Sequence, residues 1–393
     1  MGKIKTKIGS GEVSRYDQKN TVFSRASWDP TISMSGEDYI GDNPDTNRPG
    51  YSLKDWAFSQ ASWYVEKQLA KGSRGIGNFG LYRWHVDLNE IAKESEMMPG
   101  WKYEISDPVR MSADIKTVAK FLGASLVGIC QLDPRWVYTH SFNRLTDEHL
   151  PVEIPPEFER VIVLAYEEDY RMIKLSPTAL SCATVADCYS KMAFVCGRLA
   201  HFIRALGYKA IPCGNDTALS VPLAIDAGLG QLGRNGILIT REFGPRVRLS
   251  KVFTNMPLVP DKPIDFGVTE FCNSCGLCAE NCPAKAISFG EPTFEGPSIS
   301  NNHGLYKWYI NPERCFRFWK QDHGGSKFGR YGQSGCCSNC KMVCSFNKPP
   351  GWLHDMARFF VRDVPQLNSL FVLMDKLFGY SKRGKVEEFW KLN

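Results

Sequence analysis

Cys272, Cys275, Cys278 and Cys282, with Pro283 directly after them, constrain this chain more than any other stretch. The spacing C-x2-C-x2-C-x3-C-P wraps three thiolates around one four-iron cube and sends the fourth toward a second cube. A second cysteine set is therefore expected, and Cys315, Cys337, Cys340 and Cys344 supply it. If Cys344 crosses over as Cys282 does, the first cube takes Cys272, Cys275, Cys278 and Cys344, and the second takes Cys282, Cys315, Cys337 and Cys340. Cys336 stays ambiguous, because Cys337, Cys340 and Cys344 reproduce the tight pattern without it. The competing reading is a pair of zinc sites, since C-x2-C pairs also suit tetrahedral zinc. Three cysteines at two-residue intervals before Cys-Pro crowd a single metal and suit a cube, so the chain is expected to move electrons.

Such a module needs only a fraction of 393 residues, and a chain that is 43% apolar has room for two to three domains. The net charge of +6, from 48 basic and 42 acidic residues, includes no long basic run and does not indicate a nucleic-acid partner. No stretch approaches the roughly 18 uninterrupted apolar residues of a spanning helix. Residues 1–7 hold neither an apolar signal core nor a twin-arginine pair, which suggests a mature or cytoplasmic chain, soluble or peripheral. Apart from the ambiguous Cys336, the remaining cysteines at 130, 182, 188, 196 and 213 lack ligand spacing and read as small buried hydrophobes.

Residues 1–110 read as an N-terminal cap with one helix over 56–71. Residues 111–265 alternate helices and strands and argue an α/β core. Its helices are expected from about 112 to 123, over 183–206 and over 221–227; its strands are expected over 124–130, 160–166, 209–212, 236–240 and 247–254. The cysteine module follows over 266–350 and a helical tail over 351–393. That tail is amphipathic around 367–378 and is expected chiefly to pack on its own core, with docking or dimerisation as the other use. Two G-x-G-x-x-G patterns stand out. The one over 75–80 follows a helix and fails the dinucleotide context. The one over 228–233 is either a glycine-rich connection or a close approach to a planar cofactor.

The run from Asn215 to Ala224, the run from Gly228 to Gly236, the segment Phe243–Arg248 and the two cysteine sets together resemble the corrinoid-dependent reductive dehalogenases. The likeness runs from about residue 111 to about residue 346, with a weaker echo in the tail. The N-terminal half is similar to the members that act on small chlorinated alkanes such as chloroform and trichloroethane. The resemblance implies an α/β (α+β), nitroreductase-like core holding a base-off cobalamin. It also implies an inserted bacterial-type ferredoxin module with two [4Fe-4S] clusters, and a cap that helps to form the substrate pocket. The family supplies no histidine from an Asp-x-His-x-x-Gly motif, and this chain lacks one.

By the same resemblance Tyr189 is the proton donor, with Asn215 beside it and Arg248 near the phenol. Ser220, Gly233, Asn302 and His303 fall in corrinoid-contacting segments. A dry pocket would draw on aromatics such as Phe79, Trp84, Trp101, Trp308 and Trp319. The implied partners are a small halogenated substrate, an external low-potential electron donor and a small membrane anchor protein. The implied place is the outer face of the cytoplasmic membrane, after twin-arginine export. The oligomeric state is open, a homodimer included. The rival functions are an epoxyqueuosine reductase, which would want a basic tRNA-binding face, and a ferredoxin-type electron carrier, for which the long chain before Cys272 is excessive. A cobalamin-binding regulator would leave the cluster ligands without a purpose.

Overall fold

Among the described residues, eight strands are distributed through the middle of the chain: β1 (Leu126–Gln131), β2 (His140–Phe142), β3 (His149–Pro151), β4 (Arg160–Glu167), β5 (Ala210–Cys213), β6 (Gln231–Leu232), β7 (Leu238–Ile239) and β8 (Val247–Thr254). The computed structural model describes residues 13–32, 48–70, 80–84, 100–144, 146–322, 337–349 and 351–391. The main sheet has the order β1-β4-β8-β5, and every ladder in it is antiparallel. Helices and strands alternate along the chain, yet the sheet contains no parallel pair among the described residues, so the core takes the α+β form.

Successive side chains of a strand face opposite sides of the sheet. Val161, Val163 and Ala165 of β4 enter one core with the helix Ser220–Asp226. Ile162, Leu164 and Tyr166 enter the other, with the helices Pro108–Leu122 and Ala179–Ala205. Both faces of β4 are thus covered, which is why its sequence is a continuous apolar run rather than an alternation.

Helix boundaries follow their caps. Asp107 accepts hydrogen bonds from the Val109 and Arg110 amides and Pro108 occupies the first turn, so that helix begins four residues before 112; it ends at Gly123, whose φ is 120°. The long helix begins at Ala179 rather than 183 because Thr178 and Ser181 form a reciprocal capping box. The helix expected over 56–71 is two helices, Leu53–Ser62 and Tyr64–Gln68, joined at Trp63. Cys130, Cys182, Cys188, Cys196 and Cys213 are buried as expected; Cys336, Phe79 and most of the 75–80 pattern lie outside the described residues.

The cysteine module sits on short helices, Val268–Ser274, Leu277–Glu280 and Asn339–Met342. Within the module Phe271 and Phe346 meet edge to face at 5.1 Å, and a Cβ on Gly244 of the core would strike the Phe346 carbonyl, which puts core and module in direct contact. In the tail, the helix Asn368–Leu377 packs Phe371 and Val372 onto the module but leaves Leu370, Leu373, Leu377 and the following Phe378 exposed, the last two by 73% and 68%. The tail therefore packs inward with one face only.

Candidate functional site

Antiparallel pairing gathers polar groups at one end of the main sheet. Glu167 stands opposite Val247 and Cys213 opposite Lys251, so the residues that leave β4 and β5 meet those that open β8. Glu168 follows β4, Asn215 comes two residues after β5, and Arg248 is the second residue of β8. Tyr189 enters from the middle of the long helix. The Asn215 side-chain amide donates to the Tyr189 phenol oxygen at 2.7 Å, and the Arg248 guanidinium carbon lies 5.4 Å from the Tyr189 ring centroid. The three residues taken from the resemblance are therefore together in space. Trp63, buried at the break between its two helices, stacks on Tyr189 at 4.9 Å with 31° between the rings.

Arg248 Nε donates to Glu168 Oε1 at 2.8 Å, and Lys341 Nζ lies 2.7 and 2.5 Å from the two oxygens of the same carboxylate. Glu168 is fully buried and Lys341 nearly so. Two cationic side chains share one carboxylate beside the phenol. Burial, with the neighbouring Arg248 charge, pulls the Lys341 ammonium below its ordinary range. Lys341 follows the cluster cysteine Cys340 in sequence, and one carboxylate thus ties the cysteine module to the tyrosine.

Behind the turn that presents Asn215 is a second polar group, formed by Glu66, Tyr82 and Asp216. Burial, then the charge of Asp216, pushes the Glu66 carboxyl up to about 8. Glu66 Oε2, the Tyr82 hydroxyl and Asp216 Oδ1 are buried and have no hydrogen-bond partner. A Cβ on Gly214 would stand 2.9 Å from that hydroxyl, and buried Lys251 donates to the Gly214 carbonyl at 2.6 Å.

The cysteines of the module lie near one another. Cys278 faces Cys344, Cys272, Cys340 and Cys275. Cys337 faces Cys340, Cys315 and Cys282. The first set lines a cavity with Gly233, Arg234 and Asn235. Among the described residues no three cysteine sulfurs come within 4.8 Å of one another. A tetrahedral zinc with bonds of about 2.3 Å would draw them to about 3.8 Å, so the donor sets fit cubes better than single ions. Burial pushes the Cys272 and Cys315 thiols up to about 12, so their thiolates need the positive charge that bound iron supplies. Arg234 braces this region: Nε and Nη2 donate to the Cys272 carbonyl at 3.1 and 3.0 Å, Nη1 to Ser288 and Gly290 at 3.0 Å, and the group lies over the Trp308 ring.

The four corrinoid positions are less uniform. Gly233 belongs to the wall of the first cysteine cavity. Ser220 opens the helix Ser220–Asp226, and its Oγ accepts from Lys251 at 3.1 Å. His303 Nδ1 accepts from the Gly296 amide at 3.1 Å, and its ring stacks on Tyr309, so this histidine braces its own loop. Asn302 Nδ2 and the neighbouring Asn301 Oδ1 are buried without partners, a vacancy of hydrogen bonds that fits the amide-bearing rim of a corrin. In the 228–233 pattern, a Cβ on Gly228 would meet the Lys262 carbonyl at 2.5 Å, and one on Gly230 would strike the Ile239 carbonyl. The chain's own packing therefore accounts for those two glycines.

Sequence reasoning missed Trp63, Glu66, Glu168, Asp216, Arg234 and Lys341. Asp216 and Arg234 lie inside the two runs that carry the resemblance and Lys341 beside a cysteine of the second set, whereas Trp63, Glu66 and Glu168 carried no local signal. Of the aromatics expected at the pocket, Trp84 lies in the core on the β5 side, Trp101 is 44% exposed, Trp308 lies under Arg234 and Trp319 meets Phe23; Trp63 is the ring against Tyr189.

A 4Fe-4S binding domain model matches residues 268–288. A tetrachloroethene reductive dehalogenase of Desulfitobacterium hafniense is 38% identical over 85% of this chain and 69% of its own length. One of Sulfurospirillum multivorans is 39% identical over 73% of this chain and 60% of its own. A solved reductive dehalogenase, described for B12-dependent dehalogenation, superposes with a TM-score of 0.66 and 21% identity, covering 96% of this chain. The chain spans about half the length of that solved protein, covering 49% of it.

Proposed function

This chain belongs to the reductive dehalogenase family, and on that premise we propose that it replaces the carbon–halogen bond of a small organohalide by carbon–hydrogen, with Tyr189 as proton donor. The balance is an organohalide plus two electrons and one proton, giving the hydrogenated product and halide. When bound, the corrinoid supplies the reducing metal centre for this bond and the two clusters relay electrons to it one at a time. The eight cysteines hold the clusters; Ser220, Gly233, Asn302 and His303 are the proposed corrinoid contacts, with the orphaned amide of Asn302 the best supported of them.

The observation that carries the reading is the constellation around the phenol oxygen. Asn215 donates to that oxygen at 2.7 Å, so negative charge left there after proton transfer meets a donor already in place. Arg248 adds a cation that does not exchange protons near neutral pH. Glu168 holds the guanidinium in position, and Lys341 shares that carboxylate. Trp63 covers one face of the ring and keeps water from it, while the exposure of Asn215 leaves a way in for substrate.

The substrates we propose are small apolar halocarbons: chlorinated alkanes of the chloroform and trichloroethane type by the resemblance of the N-terminal half, with chloroethenes as the neighbouring choice suggested by the names of the relatives. The test is anaerobic chloride release with a reduced viologen from chloroalkanes, chloroalkenes and chloroaromatics, using protein whose corrinoid and iron contents are verified. Release from no halocarbon overturns the reading. Arg248→Lys retains more activity than Arg248→Ala; the reverse order removes the electrostatic role of the guanidinium.

We further propose a peripheral place on the outer face of the cytoplasmic membrane after twin-arginine export, an external low-potential donor, and docking to a small membrane anchor. No helix among the described residues is long and apolar enough to cross a membrane. The exposed Leu370, Leu373, Leu377 and Phe378 supply an apolar face for that docking, with a homodimer as the alternative use. Leu373→Glu with Leu377→Glu should release the protein from membranes that carry the anchor; a change confined to oligomeric mass would assign the face to a dimer.

A further inference from the structure

Remote from the cysteine sets, the β2–β3 hairpin presents two histidines to the N-terminal segment. Its register pairs His140 with Pro151 and Phe142 with His149, which sets the two imidazoles diagonally on one face, with ring centroids 4.6 Å apart. Asp17, which caps the short turn Gln18–Asn20, reaches across to them: His149 Nε2 lies 3.0 Å from each of its carboxylate oxygens. One ligand atom from each of Asp17, His140 and His149 can be chosen so that all three lie within 4.8 Å of one another.

An ordinary aspartate–histidine pair accounts for Asp17 and His149. It does not account for His140, whose Nδ1 is buried and has no hydrogen-bond partner. A buried ring nitrogen left in that state calls for an acceptor, a donor or an ion. The frame around it is already fixed. Arg15 Nε and Nη2 donate to the carbonyls of Val137, Tyr138 and Val152, the Thr139 amide donates to the Tyr16 carbonyl at 2.9 Å, and the Phe142 amide donates to Gln18 Oε1 at 3.1 Å. The nearby cation, Lys19, directs its ammonium over the Trp28 and Phe142 rings at 5.0 and 5.7 Å.

We propose that Asp17, His140 and His149 bind one divalent transition-metal ion, which clasps the N-terminal segment to the β2–β3 hairpin. Two imidazoles and one carboxylate suit zinc or cobalt, whereas magnesium and calcium prefer oxygen donors throughout. Three protein ligands leave room for water at the remaining positions. The site is independent of the dehalogenase reading, and either can fail without the other.

The experiment is calorimetric titration of the full chain, with both clusters in place and iron content checked before and after, using zinc ion alone. The wild type is expected to take up one more equivalent than His140→Ala or His149→Gln, or to bind it at least about tenfold more tightly. Zinc should raise the Tm of the wild type only. Two variants guard against a folding defect in either, with circular dichroism as the control. Equal uptake and equal Tm response in wild type and both variants overturn the site; so does full affinity in His140→Ala, which would leave only the Asp17–His149 pair.

Discussion

The cysteine module and the sheet end hold their chemistry in opposite ways. In the module, most of the proposed ligands follow one another at short intervals on or beside short helices, with Cys315 apart on the helix Pro312–Asp322, and local spacing does much of the positioning. At the sheet end, Trp63, Glu168, Tyr189, Asn215, Arg248 and Lys341 come from six separate segments and meet only because an antiparallel sheet and a long helix bring them together. A cluster held by spacing should fail as a unit when one of its ligands is lost. A site built by packing should lose its functions one at a time.

The largest expected effect tests the first half of that contrast. Cys344→Ala breaks the crossing ligand of the first cluster, and iron should fall from about eight to about four per chain with loss of halide release; an unchanged iron content would return the crossing role to another residue. Next comes Tyr189→Phe. With clusters and corrinoid verified, halide release should drop about 10²–10⁴-fold while the electron-transfer signals stay intact, and near-normal turnover would remove the proton-donor role. Lys341→Met lies where the two regions join. It leaves the buried Glu168 with Arg248 alone, and chemical unfolding should report a loss of about 3–5 kcal/mol; a loss below about 1 kcal/mol would mean that the regions are not coupled through this carboxylate.

The last effect concerns Glu66 and is read as a slope against pH. Its carboxyl is held at about 8 in the folded chain against an ordinary 4.5, so the folded state holds the proton more tightly than the unfolded one. The stability that this contributes is complete below about 4.5 and is lost as pH rises through about 8. Glu66→Gln should therefore flatten the decline of Tm between pH 5 and 9, and an unaltered slope would place the titration elsewhere.

The same contrast explains what the sequence revealed. The cysteine pattern was legible because its constraint is local, and a 4Fe-4S binding domain model matches its first part, residues 268–288. The strand β4 was legible because burial on both faces leaves an unbroken apolar run, and β8, whose apolar residues are interrupted by Arg248, Ser250 and Lys251, still has the expected limits. Tyr189, Asn215 and Arg248 were reached only through resemblance, since each alone reads as a core tyrosine, a turn asparagine or a paired arginine. Trp63 and Glu66 escaped because the break at Trp63 and the short helix Tyr64–Gln68 fall in a pattern that suggested one continuous element, and nothing in their neighbours signals a tyrosine more than a hundred residues away. Boundaries went astray where a cap outweighed periodicity, as at Asp107 and Thr178.

Arg234 has a consequence for anyone who would exchange parts between members of this family. Its guanidinium is plugged into three carbonyls contributed by the cysteine module, one of them belonging to Cys272 itself. A chimera that imports a foreign electron wire brings a foreign set of sockets. Unless those carbonyls arrive in the same places, the host's buried plug is stranded without acceptors, and the graft fails at the seam before any electron is asked to cross it.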